Sequence, residues 1–449
     1  MTAAFVDVVI ACHDETRPLE RAVRSLFQDP AVRDRVRATV VAHGLAPELL
    51  ERKLSAIDGD WRVVGFSDGV RSAAGPFNHG LALVESEYCA VMGSDDFLEP
   101  GAMAQWVAYA EKERPDAAIA RIRIDGRPIM PNPLTRVGRR RRLDAAKDRL
   151  FYRTAPLGLI RTATMRARGL AMTEGVRVGE DFEFGIRLFS QSDRVDFLGD
   201  APCYVIGVDA RERTTLAPMS MEEGLAAVVR LLDDGLPAQL APAHRRALAI
   251  KLVRISVIGN ARSRPDAAQW RDDDEVRFLA SLLQRLVALA PRVLEPFNLQ
   301  DRGILDGLLA EPTIARVTAD AARAARAGRR ERWLTRNPLR SFGRETMLRR
   351  YVLYVLKRER KALAHDVTPD DADPVVLAHR ERRAGAQAGQ PLHPGLRRDH
   401  LRLRPRAGGG RRAHQHARRP AVQRPRRQAD HAQALPQGVL AAVGGEVVA

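Results

Sequence analysis

Two places in the 449-residue chain set acidic side chains where chemistry could use them. In the run 75–100 (GPFNHGLALVESEYCAVMGSDDFLEP) a helical stretch feeds an apolar strand, which halts at Gly93–Ser94 and delivers Asp95 and Asp96 side by side. Adjacent carboxylates repel each other and resist desolvation unless a cation or donor groups serve them. A hard divalent metal carrying a diphosphate suits such a pair, because Mg2+ takes one or two carboxylates plus phosphate oxygens. A polar helix start explains the same Ser94–Asp95–Asp96, and the residues alone leave both readings open. The second place is 175–188 (GVRVGEDFEFGIRL), where Glu180 and Asp181 open an apolar helix anchored by Phe182, Ile186 and Phe189. Negative charge is favoured at a helix N-terminus. A carboxylate there becomes a general base if it faces a cleft.

These acids need a sheet edge to hold them. The run 6–11 (VDVVIA) is β-branched and apolar, as a buried parallel strand requires. Cys12, His13 and Asp14 then fall at the carboxyl edge, where α/β proteins bind ligands. A helix should follow, with Thr16 as its N-cap and Leu19, Ala22, Val23 and Leu26 as its apolar stripe. Further strands are expected at 37–42, 61–66, 88–92 and 117–122, with a helix through 47–57. This alternation predicts an α/β fold, a mostly parallel sheet flanked by helices. Beyond residue 217 the segments 221–235, 241–260, 276–290, 301–325 and 344–362 carry helical periodicity and few strand-like runs. The expected organisation is a catalytic domain at 1–215, an all-helical domain at 216–365 and a basic tail at 366–449.

Composition narrows the classes. Of the formal charge of +17, the residues from 376 onward hold +11, from 15 arginines against four acids. The body is therefore only mildly basic, and nucleic acid is not expected as a partner. No aromatic residue follows Tyr354, and six of the 11 histidines lie in the tail. A segment so poor in aromatics and so rich in charge cannot bury enough surface to fold, so a disordered tail is expected and no function is placed on it. Three scattered cysteines form neither a disulfide framework nor a zinc site and suit a reducing cytoplasm. No run of about 18 apolar residues predicts a membrane span. The expected location is cytoplasmic, with 344–362 as a candidate for peripheral contact with the inner face of the membrane. The arginine run 139–142 reads as a solvated loop more readily than as an anion site.

Three motifs in order, over about residues 6–215, resemble the family 2 glycosyltransferases, inverting enzymes of the GT-A fold. The first is 6–14. The second is 69–100, with Asn78, Gly80, Leu81, Glu87–Tyr88, Ser94–Asp95–Asp96 and Pro100, and the third is Glu180–Asp181 with Arg187. The resemblance implies transfer of a sugar from a nucleotide-diphosphate donor to a hydroxyl of a glycan or lipid-linked acceptor. It implies a divalent metal, Mn2+ or Mg2+, on Asp95 and Asp96, and donor contacts at Ala11, His13, Asp14, His43, Asn78, Ser94 and Asp95. Asp181 is implied as the general base, with Glu180 beside it. Three features depart from the pattern. The acid usual at the end of the second strand is replaced by Ala42–His43–Gly44, Gly93 stands where an aspartate is common, and a late histidine is missing, with Asp209 as its stand-in. These losses keep a second reading alive, a non-catalytic carbohydrate- or partner-binding protein on a decayed GT-A scaffold.

Overall fold

The computed structural model describes residues 4–153, 157–209 and 219–357. A seven-stranded sheet has the order β10-β6-β9-β4-β1-β2-β3. Its strands are β1 (Val6–Cys12), β2 (Val36–His43), β3 (Asp60–Phe66), β4 (Tyr88–Gly93), β6 (Ala117–Ala120), β9 (Gly158–Arg161) and β10 (Val195–Leu198). All neighbours are parallel except β9, which runs antiparallel to β4 and β6. A second sheet, β5-β11-β7-β8, joins β5 (Phe97–Leu98), β7 (Ile122–Ile124), β8 (Ile129–Met130) and β11 (Tyr204–Ile206). The flanking helices are α1 (Leu19–Leu26), α2 (Pro47–Leu54), α3 (Ala74–Ala82), α4 (Ala102–Glu113), α5 (Thr162–Ala167) and α6 (Phe182–Gln191).

β1 and β4 lie at the centre because their side chains are buried on both faces and, apart from Asp7, which accepts from Thr39, are apolar or small. Each expected strand is present, with its ends moved by one or two residues, except the run 117–122. That run breaks at Arg121, so β6 completes the large sheet and β7 the small one. The expected cap at Thr16 is not formed. Its backbone N–H and its hydroxyl both donate to the Asp14 carboxylate (2.8 Å each), and the helix starts later, at Leu19 after Pro18.

The helical part begins at α7 (Met221–Asp233) and continues through α8 (Leu236–Gln239), α9 (Pro242–Leu252), α10 (Gly259–Ser263) and α11 (Asp273–Leu289). It ends with α12 (Leu299–Ala310), α13 (Ile314–Ala325), α14 (Arg329–Trp333) and α15 (Met347–Lys357). Segment 301–325 is two helices, because Pro312 has no N–H to continue the ladder and Thr313 caps the second piece. One buried apolar cluster runs from β1 to α13, so sheet and helices share a core. A buried ionic joint adds to it: Arg149 reaches Glu345 (3.1 Å), Arg254 donates to the Tyr152 hydroxyl (3.2 Å), and Arg350 lies over the Tyr152 ring (4.2 Å). The expected boundary near 215 and the tail at 366–449 lie outside the described residues.

Candidate functional site

β4 ends at Gly93, and its carboxyl edge carries Ser94, Asp95 and Asp96, all buried. Asp96 is held from the second sheet. The Tyr204 hydroxyl donates to its Oδ2 at 2.5 Å, and the Gly207 amide donates to its Oδ1 at 2.9 Å. The same hydroxyl accepts the Gly93 amide (3.1 Å), so one phenol closes both the strand end and the carboxylate. Burial pushes the Tyr204 phenol well above its ordinary value, which keeps it protonated and a donor.

Asp95 is held from the other side. The buried Arg17 guanidinium stands 2.9 Å from Asp95 Oδ1. Arg21, in the first turn of α1, donates to the Asp95 carbonyl and grips both oxygens of Asp209 at 2.8 Å. Both carboxylates of the pair fold back over their own strand. A β-carbon added at Gly93 would sit 2.7 Å from Asp96 Oδ2 and 3.3 Å from Asp95 Oδ1, so glycine is the residue this arrangement admits. Gly207 is fixed for a similar reason, since a side chain there would strike the Asp95 carbonyl.

As a holder of a divalent ion, this set fits poorly. The expected ligand Asp96 already accepts two donors, one on each oxygen, which an ion would have to share. Asp95 shares an oxygen with a guanidinium, and the stand-in Asp209 is paired with Arg21. Among the described residues no group of three or more His, Cys, Asp or Glu side chains is placed to hold a metal.

The other candidate donor positions cluster at the ends of β1 and β2 and on α3. Ala11 is half-buried in β1, and His13 is exposed beyond its end. The Asp14 carboxyl is held below its usual range by the Thr16 amide. His43 Nε2 is 2.9 Å from Asp68 Oδ1, which also accepts the Val70 amide. The Val70 amide, then His43, lowers the Asp68 carboxyl below its usual value. His43 and His79 flank the Phe66 ring, with centroids 5.7 and 5.0 Å away. Asn78 is turned toward another loop, exchanging hydrogen bonds with the Met172 amide (2.7 Å) and carbonyl (3.0 Å) and donating to Glu174 (2.9 Å).

That loop leads to the second acid pair. The Thr173 amide donates to the Glu180 carbonyl (2.7 Å), which fixes the approach to α6. Asp181 occupies the N-cap position of α6 without its side chain capping the helix, and both its carboxylate oxygens are buried. Phe182, Ile186 and Phe189 pack into the core. The buried Lys251 ammonium of α9 lies 4.0 Å from the Phe182 ring centroid, beside this helix start. Arg187 pairs with Glu183 one turn earlier (2.7 Å), and the run 139–142 pairs outward, Arg140 with Asp200 and Arg141 with Glu113. Sequence reasoning missed Arg17, Arg21, Tyr204 and Gly207. The signal available was the excess of acid at 95–96, which demands donors from somewhere. A cavity of about 770 Å3, lined by Arg246, Ile250, Glu295, Phe342 and neighbours, includes none of the candidate residues.

Comparison with known proteins places this geometry. Residues 7–169 match the model of Glycosyl transferase family 2. The succinoglycan biosynthesis protein ExoU of Rhizobium meliloti (strain 1021) is 28% identical over 213 residues, 43% of this chain and 60% of that protein. The poly(ribitol-phosphate) beta-N-acetylglucosaminyltransferase TarS of Staphylococcus aureus (strain Mu50 / ATCC 700699) is 21% identical over 171 residues, 38% of this chain and 30% of that protein. The chain thus spans less than two thirds of either relative. The crystal structure of S. aureus TarS 1–349 in complex with UDP-GlcNAc aligns with a TM-score of 0.58 at 17% identity, covering 72% of this chain and 91% of that one. The fold is GT-A, and the structural likeness extends beyond residues 7–169.

Proposed function

Residues 7–169 form a family 2 glycosyltransferase domain, and from that premise we propose that the chain transfers a sugar from a nucleotide-diphosphate donor to a hydroxyl of a glycan or lipid-linked acceptor. The observation that carries the reading is the position of two acid sets, Asp95–Asp96 closing β4 and Asp181 opening α6, in a fold shared with a glycosyltransferase. ExoU, named for succinoglycan biosynthesis, and TarS, in complex with UDP-GlcNAc, support a nucleotide-sugar donor and a glycan acceptor.

In this reading Asp181 takes the proton of the acceptor hydroxyl as its oxygen attacks the anomeric carbon. The bond from that carbon to the diphosphate breaks on the opposite face, the diphosphate leaves with the electron pair, and the configuration inverts. Burial of both Asp181 oxygens keeps bulk water from competing for the base. Glu180 positions the base through its carbonyl bond to the Thr173 amide. Asp95, at the strand end, contacts the donor ribose, and the β1 and β2 ends with Phe66 and His43 receive the base. No step here is routed through a divalent ion, whose expected holders Asp95 and Asp96 already engage Arg17, Tyr204 and Gly207. No helix among the described residues is long and apolar enough to cross a membrane. We place the chain in the cytoplasm, with peripheral membrane contact through the exposed Val352, Val355 and Leu356 of α15.

The test is thermal shift and turnover with UDP-, GDP-, CDP- and dTDP-sugars. One donor should raise the melting temperature, since only ligands that bind the native state do so, and should be consumed by wild type but not by Asp181→Asn. If no donor binds or turns over, the enzyme reading fails. The non-catalytic reading is favoured by one observation, the His43–Asp68 pair where the family places an acid. Donor binding with no turnover in the presence of any glycan acceptor would select it.

A further inference from the structure

We propose that Arg17 takes, in this chain, the electrostatic place of a divalent cation, so that the site binds a diphosphate donor without a resident metal ion. The diphosphate part rests on the donor reading above. The metal part rests on geometry alone. A diphosphate approaching two carboxylates is repelled unless positive charge lies between or beneath them. Here that charge is built in, with Arg17 buried and 2.9 Å from Asp95 Oδ1. Arg21, four residues on, neutralises Asp209 through two bonds of 2.8 Å. Tyr204 and Gly207 take the two oxygens of Asp96 with neutral donors.

Three obstacles then face an incoming ion. It would have to displace a guanidinium from Asp95 and remain beside that like charge. It would find the Asp96 oxygens already engaged. It could gain no third carboxylate at 93, where the space is filled by Asp95 and Asp96 themselves. Arginine suits this place better than lysine, because it stays charged when buried and its planar fork spans two acceptors. It acts here as a positioning residue, through Asp95.

The experiment is Mn2+ binding to the full chain, read by electron paramagnetic resonance of the metal alone, on wild type, Asp95→Asn, Arg17→Gln and Arg17→Lys. Wild type should take up no Mn2+ at millimolar concentration. Arg17→Gln, which bares Asp95, should gain Mn2+ affinity by about tenfold or more, and adding Asp95→Asn should remove the gain. Arg17→Lys keeps the charge and should stay blind to Mn2+. Stoichiometric Mn2+ binding by wild type that Asp95→Asn abolishes would overturn the proposal. So would a folded Arg17→Gln with no gain. Should Arg17→Gln fail to fold, judged by circular dichroism, the wild-type and Asp95→Asn titrations still decide. Calorimetric titration with UDP and GDP, in EDTA and in Mn2+, forms the other arm. Equal affinity in both supports the proposal, and binding seen only with Mn2+ defeats it. Absence of nucleotide binding under both conditions defeats the donor reading instead, leaving the Mn2+ arm to judge Arg17.

Discussion

The two acid sets of this chain are treated in opposite ways. Asp95 is paired with the Arg17 guanidinium just ahead of α1, and Asp96 accepts neutral donors from Tyr204 of β11 and from Gly207 beyond it, so both are engaged before any ligand arrives. Asp181 sits at the start of α6, its oxygens buried and next to an apolar anchor of Phe182 and Ile186. A carboxylate that is already satisfied makes a good scaffold and a weak ligand. One held at a helix start with its oxygens shielded suits proton transfer. Under the proposed function the contrast gives Asp95 and Asp96 a braced place on the donor side and Asp181 the proton transfer, and it can be attacked from either side.

The largest effect is expected at Asp181. Asp181→Asn should lower kcat about a thousandfold, within the range for loss of a general base, while donor affinity by calorimetry stays unchanged. A variant that loses binding and turnover together would make Asp181 a scaffold and erase the contrast. Next comes Asp96→Ala, which strands the Tyr204 hydroxyl and the Gly207 amide and should cost about 3 kcal/mol by urea unfolding, as removal of a buried hydrogen-bonded acid does. A wild-type unfolding midpoint would show that Asp96 braces nothing. Tyr204→Phe should follow, at roughly 1–2 kcal/mol, because a buried carboxylate oxygen and the Gly93 amide both lose a partner. Its transfer rate should fall far less than that of Asp181→Asn, and equal losses would break the division.

The smallest effect concerns Asp68. Its folded carboxyl lies below its ordinary value, through the Val70 amide and then His43. A depressed carboxyl adds stability that is present above its unfolded value of about 3.8 and is lost as pH falls through the folded one. The group is well exposed, so the contribution is under about 0.5 kcal/mol after solvent screening. Acid titration of the melting temperature should therefore separate wild type from Asp68→Asn only slightly, and a large gap at neutral pH would mean that the His43 pair is a structural anchor.

Much of this arrangement was readable from local pattern. Strands β1 to β4 announce themselves through β-branched apolar runs, and α6 through the spacing of Phe182, Ile186 and Phe189. The break at Arg121 did not, because 117–122 is uniformly strand-like and only its partners differ, β9 and β10 on one side and β8 and β11 on the other. Thr16 looked like a cap because a hydroxyl before an apolar stripe often is one, and Asp14 captured it first. The acids of the site were legible, whereas their donors were not. Tyr204 lies 108 residues from Asp96, and no local signal links a tyrosine on one strand to a carboxylate on another.

Gly93 carries a consequence for anyone who would convert this site to a metal-dependent one. Writing an aspartate back at 93 looks like a single repair, yet the two existing carboxylates fill the volume it would need. The order of changes then matters. The tighter obstacle is Asp96, held by Tyr204 and Gly207, so those donors must be loosened first and Arg17 removed to free Asp95 before a side chain at 93 becomes tolerable. Taken in the reverse order, the intermediate is crowded, with the new side chain pressed against Asp96 Oδ2. The present state is guarded against simple reversal by its own packing.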